Sequence, residues 1–428
     1  MYAPARGGHP SRYFDSRRTR RLSGPDDALD RVRELLRGTP LIDGHNDLPE
    51  ALRRRAGLRI SEVDLGQSVA DLVTDIPRLR AGAVGAQFWS VWVPASLPES
   101  EATRRGFEQL DIVRRMVESY PETFELATTA DDIERIFGAG RIASLIGLEG
   151  GSMIGSSLPI LRQFHALGVR YMTLTHWLTT RWADAATDAP RHAGLSPFGV
   201  EVVREMNRLG MLVDLSHVSP ETMSMALDAS DAPVLFSHSG ARAVTDHPRN
   251  VPDEILRRIA PNGGVVMAVF LSGFVSDAVV AYERAADAVV EAARADRPDA
   301  SEGELEALER QWRSAHPGPI ARLEDVADHI DHLRDVTGID HVGIGSDFDG
   351  GSSLPVGLDD VSHFPDLFAE LLRRGYSTDD LRRVAGANLI RVLREAEAVA
   401  ARLQSERGPS ELTIEDLDRV DAGGQPLA

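Results

Sequence analysis

The 428-residue sequence is acidic, with 66 aspartates and glutamates against 47 basic residues and a formal charge of −19 at pH 7. Its length fits one large α/β domain or two ordinary ones, and its charge argues against nucleic acid as a partner, because binding a polyanion needs a basic surface. The sequence contains neither cysteine nor lysine. Disulfides, thiolate metal sites, Schiff-base chemistry and a carbamylated lysine between two metals are therefore excluded.

The first 24 residues are predicted to form a flexible basic arm. It carries two arginine pairs, Arg17–Arg18 and Arg20–Arg21, but no apolar segment follows them, as an export signal would require. No apolar run in the sequence reaches the length that a membrane-spanning helix needs. We therefore expect a cytoplasmic protein without a membrane partner.

Residues 25–408 are predicted to form a single domain in which short apolar strands alternate with amphipathic helices. The eight predicted strands are Leu41–Asp43, Gln87–Val93, Ile142–Leu148, Tyr171–Thr175, Met211–Leu215, Val234–Phe236, Gly264–Phe270 and His341–Gly345. Helices are predicted over Asp26–Arg37, Asp71–Arg80, Phe107–Tyr120, Leu158–Leu167, Pro197–Leu209, Pro220–Ala229 and Pro252–Ile259. This alternation predicts a (β/α)8 TIM-type barrel. No glycine-rich dinucleotide loop follows the first strand, which disfavours a doubly wound sheet.

Two regions depart from this alternation. A long charged stretch, about residues 277–336, separates the seventh and eighth strands and is predicted to be a helical insertion. Helices near Pro365–Arg374 and Thr378–Arg402 then close the domain. The remaining residues, 409–428, are predicted to form an acidic, turn-rich tail.

Ionisable side chains of the metal-ligand type follow six of the eight predicted strands. They are His45 and Asp47, Glu149, His176, His217, His238 and Asp347. Each residue alone is explained as well by a core histidine or a capping carboxylate. The carboxyl ends of the strands meet at one mouth of a barrel, however, and six coincidences at equivalent positions predict a shared site.

The chemistry of this set predicts a centre for two metal ions. His45 and Asp47 can hold one ion, His217 and His238 the second, and Glu149 can bridge them. Two metals about 3.5–4 Å apart polarise a carbonyl and generate hydroxide near neutral pH. Asp347 remains as the proton carrier between the bridging water and a leaving amine.

Several segments together carry a family resemblance. They are Asp43–Pro49, Thr74–Leu79, Gln87–Ser90, Glu149–Gly150, Asp214–His217 and Gly345–Gly350. With them the chain resembles the membrane (renal) dipeptidase family of binuclear zinc dipeptidases, which have a metallo-dependent hydrolase-like barrel, from about residue 26 to 400. The resemblance implies that two zinc ions are bound by His45, Asp47, Glu149, His217 and His238. It further implies that His176 contacts the developing oxyanion, that Arg249 binds the substrate's C-terminal carboxylate, and that the protein forms a non-covalent homodimer.

The expected activity is hydrolysis of small dipeptides, either L-Xaa–L-Xaa or L-Xaa–D-Xaa. A deaminase or another cyclic-amide hydrolase with the same barrel is an alternative, but such enzymes usually carry His-x-His after the first strand, where this chain has Asp47. A metal-free binding protein is a second alternative, against which the full set of ligands argues. Trp92 is expected to be a core residue, and His329 and His332 are expected to be structural or solvated.

Overall fold

A parallel β-sheet closed into a barrel forms the centre of the protein in the computed structural model, which describes residues 25–351 and 353–418. The predicted basic arm, residues 1–24, lies outside the described residues. The strands are β1 (Leu41–Asn46), β2 (Val84–Trp92), β3 (Phe124–Leu126), β4 (Ile142–Glu149), β5 (Val169–Thr173), β6 (Leu212–Asp214), β7 (Leu235–Ser239), β8 (Val265–Ala268) and β9 (Val342–Ile344). Pairing of β2 with both β1 and β4 closes a ring of eight strands that omits β3. The predicted (β/α)8 barrel is confirmed.

Strand β3 is a feature that the sequence did not predict. It has only three residues and pairs with the first part of β4, where Phe124 lies opposite Ile142. Its neighbour in the ring, β4, is buried along its whole length, as expected for a parallel strand with both faces covered. The sequence of β3, Phe-Glu-Leu, gives only one apolar–polar–apolar alternation, whereas the equally short β6 and β9 lie within the longer predicted strands Met211–Leu215 and His341–Gly345.

Helices surround the barrel, and in the described residues they precede, connect and follow its strands. The first ten are α1 (Pro25–Arg37), α2 (Leu48–Ala56), α3 (Ile76–Ala81), α4 (Glu99–Ser119), α5 (Ala130–Gly138), α6 (Leu158–Ala166), α7 (Pro197–Leu209), α8 (Pro220–Ala229), α9 (Asp253–Leu256) and α10 (Ile259–Asn262). They are followed by α11 (Ser272–Val275), α12 (Asp277–Asp296), α13 (Glu302–Ala315), α14 (Leu323–Thr337), α15 (Phe364–Arg373), α16 (Thr378–Arg382), α17 (Asn388–Glu406) and α18 (Ile414–Leu417). In the part of the chain that the structure describes, none of them is both long and apolar enough to cross a bilayer.

The charged stretch between β8 and β9 contains two different kinds of helix. Helices α12 and α13 pack on each other and bury few side chains, among them Val280 and Leu305. Helix α14 instead buries Val326, Ile330 and Leu333 in the main hydrophobic core. The excursion from the barrel therefore consists of α12 and α13, and α14 belongs to the ring of helices.

Buried polar side chains fill the interior of the barrel beneath its carboxyl-terminal mouth. They include Asp43, Gln87, Thr173, Asp214 and Ser237, none of which is exposed to solvent. Hydrogen bonds connect them across strands, for example from Gln87 Nε2 to Asp43 Oδ2 at 2.9 Å. Burial of polar groups costs free energy unless they are hydrogen-bonded, so this network fixes the strand ends that carry the site.

Candidate active site

The seven residues predicted at strand ends all lie at the carboxyl-terminal mouth of the barrel. His45 and His238 lie within β1 and β7, and Glu149 is the last residue of β4. The other four follow directly or within three residues of a strand end: Asp47 after β1, His176 after β5, His217 after β6 and Asp347 after β9. The structure thus brings together side chains that are up to 302 positions apart in the sequence (residues 45 to 347).

Glu149 stands between two groups of ligand atoms. Its Oε2 lies 3.3 Å from His45 Nε2, and His45 Nε2 lies 3.5 Å from Asp47 Oδ2. Its Oε1 lies 2.9 Å from His217 Nε2 and 3.4 Å from His238 Nε2. The two oxygens of one carboxylate therefore face different sets of ligands.

The donor atoms fit divalent metal ions. Two ligand atoms that each lie about 2.0–2.1 Å from a tetrahedral ion are about 3.3 Å apart, close to most of the separations around Glu149. His45 Nε2 and Asp47 Oδ1 are buried without a hydrogen-bond partner among the described residues. Three overlapping sets have ligand atoms within 4.8 Å of one another: His45, Glu149 and His238; Glu149, His176 and His217; and His45, Asp47 and Asp347. Unpartnered buried donors and acceptors of this type are what a metal ion would satisfy.

The protonation states also suit metal binding. Burial opposes the charge of Glu149, but the surrounding histidines hold the pKa of its carboxyl well below the usual range. Burial lowers the pKa values of His217 and His238 well below that of a free imidazole. Glu149, His217 and His238 are therefore held in the forms in which these groups bind metals. Burial opposes the charge of His45, but Tyr171, Glu149 and Asp47 raise the pKa of its imidazole well above the usual range, so His45 would release a proton on binding a metal.

Asp347 is held close to Asp47 by a strained turn. Its backbone has φ 64°, in the left-handed region, and its amide donates to His45 O at 3.1 Å. A Cβ atom on Gly350 would lie 2.2 Å from Asp347 Oδ1 and 2.3 Å from Asp47 Oδ2, so a larger residue there would displace the two carboxylates. Burial, together with the carboxylates of Asp47 and Glu149, raises the pKa of Asp347 well above its usual range. A carboxyl group of this kind can hold a proton near neutral pH.

His176 lies at the edge of a cavity of about 200 Å³ that opens onto the site. Its Nε2 is 3.6 Å from Glu149 Oε1, and burial lowers the pKa of its imidazole. The ring of Trp92 lies 5.4 Å from the ring of His176 and lines the same cavity, with Trp177 and Phe274. The expectation that Trp92 is a core residue was wrong, because β2 ends at the mouth and its last side chain faces the cleft.

Arg249 is buried beside the histidines, with 1% of its surface exposed. Its Nη2 donates to His238 O at 3.2 Å and its guanidinium lies 5.3 Å from the centre of the Phe274 ring. Nε and Nη1 have no hydrogen-bond partner among the described residues. Burial lowers the pKa of Arg249 to about 10, which still leaves it charged at neutral pH. A buried cation with free donors is suited to receive a carboxylate.

The loop that carries Arg249 is held by two residues to which the sequence analysis gave no functional role. Asn250 accepts from Gly240 N at 3.0 Å and donates to Phe274 O at 2.8 Å, which ties the loop to α11. His329, expected to be structural or solvated, accepts from Ala241 N at 2.9 Å. Because His329 is 88 positions further along the chain than Ala241, sequence spacing carried no signal of this contact.

The fold and the site define a metal-dependent hydrolase, and comparison with known proteins gives its family. The family model described as Membrane dipeptidase (Peptidase family M19) matches residues 29–407. The chain belongs to this family, which confirms the resemblance found in the sequence, and it is a dipeptidase of the metallopeptidase class.

Individual relatives agree with this assignment. The chain is 41% identical to Dipeptidase 3 of Rattus norvegicus over 370 residues, which cover 85% of this chain and 67% of that protein. It is 43% identical to an uncharacterized dipeptidase of Schizosaccharomyces pombe over 372 residues, which cover 84% of this chain and 81% of that protein.

Two crystal structures share the fold. One is the probable dipeptidase PvdM from Pseudomonas aeruginosa, with a TM-score of 0.76 and 24% identity over 88% of this chain and 100% of that chain. The other is a metallopeptidase from Rhodobacter sphaeroides liganded with a phosphinate mimic of the dipeptide L-Ala-D-Ala. Its TM-score is 0.68, with 26% identity over 84% of this chain and 99% of that chain.

Proposed function

We propose that the protein hydrolyses the amide bond of small dipeptides, L-Xaa–L-Xaa or L-Xaa–D-Xaa, with two zinc ions per subunit. His45 and Asp47 would hold one ion, His217 and His238 the other, and Glu149 would bridge them. The observation that carries the proposal is the position of Glu149, whose two oxygens face His45 on one side and His217 and His238 on the other. When bound, two zinc ions polarise a carbonyl and make water nucleophilic near neutral pH.

Arg249 is proposed to bind the free C-terminal carboxylate of the dipeptide. Its unpartnered Nε and Nη1 are two donors of one planar guanidinium, which match the two oxygens of a carboxylate. This local cation lets a protein of net charge −19 bind an anionic substrate. The carboxylate requirement would select the C-terminal amide bond of a peptide over its internal amides.

His176 and Asp347 are proposed to act on the reacting groups. A neutral His176 donates one N–H to the oxyanion that develops on the scissile carbonyl, as hydrogen-bond donors do in other amide hydrolases. Asp347 accepts the proton of the attacking water and delivers it to the leaving amine. The raised pKa of Asp347 supports this shuttle, because it makes the carboxylate a stronger base toward the attacking water.

A D-configured C-terminal residue is included among the candidate substrates because of one relative. The Rhodobacter sphaeroides metallopeptidase was solved with a mimic of L-Ala-D-Ala. That ligand supports testing both configurations in this chain. The cavity of about 200 Å³ next to His176 supports small substrates in either case.

The proposal extends to the surroundings of the enzyme. We propose that it acts in the cytoplasm as a non-covalent homodimer, with no nucleic acid or membrane as partner. The strongly acidic composition supports the exclusion of nucleic acid. Sedimentation of the purified protein would test the dimer.

The decisive test removes and restores the metal. Purified protein would be stripped with a chelator, checked by elemental analysis, and assayed on L,L- and L,D-dipeptides before and after addition of zinc. We expect activity to be lost on stripping and regained as two equivalents of zinc are added, with magnesium as a negative control. Hydrolysis that persists in the metal-free protein would contradict the proposal.

A further inference from the structure

We propose that Ser237 is a positioning residue for His238, and that it sets the tautomer of this imidazole through the buried carboxylate of Asp214. The inference rests on the proposed function, which makes His238 a zinc ligand. Ser237 itself touches neither the cleft nor the other ligand atoms of the site. It acts on the proposed metal site only through the histidine beside it.

The three groups form a continuous chain beneath the site. His238 Nδ1 lies 2.8 Å from Ser237 Oγ, and Ser237 Oγ lies 2.6 Å from Asp214 Oδ2. None of the three residues has any solvent exposure. Because no water reaches these atoms from bulk solvent, the direction of each hydrogen bond is set by the protein alone.

Asp214 can only accept hydrogen bonds at this position. Its Oδ1 receives the amides of Ser216 at 3.1 Å and Ser237 at 2.8 Å. Its Oδ2 receives the hydroxyls of Thr173 and Ser237, both at 2.6 Å. A carboxylate has about four acceptor sites, so these four donors fill them and leave no room for a proton on Asp214.

The direction of the remaining bond follows from this. Ser237 has one hydroxyl proton, which must lie between Ser237 Oγ and Asp214 Oδ2, because two oxygens 2.6 Å apart with no proton between them would repel each other. His238 Nδ1, 2.8 Å from Ser237 Oγ, can instead carry a proton of its own. Ser237 Oγ therefore accepts at its contact with His238, and Nδ1 of His238 carries the proton. Nε2 is left as a bare lone pair on the side that faces His217 Nε2, 3.0 Å away, and Glu149 Oε1, 3.4 Å away. A metal-binding imidazole needs this tautomer, and a hydrogen bond from its other nitrogen orients the ring.

The other two proposed histidine ligands lack such a connection. His217 Nδ1 has no hydrogen-bond partner in the described part of the chain. His45 Nδ1 lies 2.8 Å from the phenol of Tyr171, which can donate as well as accept. Among the three proposed histidine ligands, His238 is therefore the one whose metal-binding nitrogen is determined by an ionised group before any metal binds.

Two variants separate this role from a merely structural one. Ser237→Ala and Thr173→Val each remove one hydroxyl donor from Asp214 Oδ2, but only Ser237 contacts His238. Zinc dissociation constants would be measured by competition with a chromophoric chelator, and folding would be checked by thermal unfolding of the metal-free proteins. We expect Ser237→Ala to bind one of its two zinc ions about 10- to 100-fold more weakly, and Thr173→Val to match the wild type.

Equal affinities in the two variants, whether reduced or not, would overturn the inference. A wild-type protein that binds no zinc would contradict the proposed function as well as this inference. A wild type that binds zinc, with two variants that bind it equally, would contradict this inference alone, so the two failures are distinguishable. If Ser237→Ala does not fold, ¹⁵N NMR of the metal-free wild type decides the matter. The inference predicts a neutral His238 protonated at Nδ1, and protonation at Nε2 would overturn it.

Discussion

The two sides of Glu149 differ in charge. On the side of β1 and β9, Asp47 and Asp347 put two further carboxylates beside His45. On the side of β6 and β7, His217 and His238 are neutral imidazoles with the cation of Arg249 behind them. One side is thus equipped to take up and release protons, and the other to receive the anionic end of a substrate.

This asymmetry explains how one cleft can treat the two ends of a dipeptide differently. A carboxylate is attracted by the guanidinium of Arg249, whereas Asp47 and Asp347 offer it no cation, so these side chains favour one orientation of the substrate. The free amino end of the dipeptide would then lie toward Asp47 and Asp347. Glu149 is shared by the two sides of the site, whereas Asp347 and Arg249 each belong to one of them.

The largest effect is expected for Glu149→Gln, which affects both sides at once. An amide cannot supply two anionic oxygens to two ions, so both metal sites should be weakened together. Dipeptide hydrolysis should fall by more than about 10³-fold, beyond the loss typical of a single electrostatic group. Elemental analysis after gel filtration should find both zinc ions lost. A variant that keeps one tightly bound ion would show that the two sides are independent.

Asp347→Asn should damage the acidic side alone. It removes the proton carrier, so kcat should fall by about 10²- to 10⁴-fold, while the zinc content stays close to that of the wild type. Asp349→Asn is the matched control, because Asp349 lies two residues further on and accepts from Val73 N at 3.1 Å. Comparable losses in both variants would mean that the turn, and not the carboxyl of Asp347, is what matters.

Arg249→Met should damage the opposite side. Loss of a buried charge partner costs about 2–5 kcal/mol, which corresponds to roughly 30- to several-thousand-fold in kcat/KM, mainly through KM. The control is a dipeptide with an amidated C-terminus, which cannot use the guanidinium. The variant should cleave that substrate as poorly as the wild type does. A similar loss on both substrates would contradict the role of Arg249.

The smallest effect is expected for His329, which supports the Arg249 loop. It is an effect on the free energy of unfolding and not on catalysis. Burial lowers the pKa of His329 to about 4, below its value of 6.5 in an unfolded chain. The unfolded state therefore binds more protons between these pH values, and His329 should reduce the free energy of unfolding by about 3 kcal/mol as the pH falls from 6.5 to 4. His329→Asn keeps an acceptor for Ala241 N but does not titrate, so it should lose less stability over this range in urea titrations. Thr245→Val, which removes the contact of Thr245 Oγ1 with His329 Nε2 at 3.2 Å, should run parallel to the wild type.

The ligand positions could be predicted from the sequence because each lies in a strand or within three residues of its end. Once the strands are known to be parallel and closed into a barrel, an apolar run that ends in His45, Glu149, His217 or His238 places that side chain at the active-site mouth. Arg249 lies on a loop between β7 and β8 and not at a strand end, so only the family resemblance identified it. The three-residue β3 was missed because it carries only one apolar–polar–apolar alternation.

The supporting contacts could not be predicted for a different physical reason. They depend on side chains from separate strands that fit one another in three dimensions. Tyr171 reaches His45 only because position 147 is glycine, where a Cβ atom would lie 2.0 Å from the Tyr171 ring. The chain from Asp214 through Ser237 to His238 joins β6 to β7 in the same way. Such pairs leave no mark in the periodicity of either strand.

The most direct test of the account is a crystal structure of the zinc-loaded protein with anomalous scattering data collected at the zinc edge. The account predicts two peaks per chain, one among His45, Asp47 and Glu149 and the other among Glu149, His217 and His238. A single peak, or two peaks with Glu149 bound to only one of them, would contradict it.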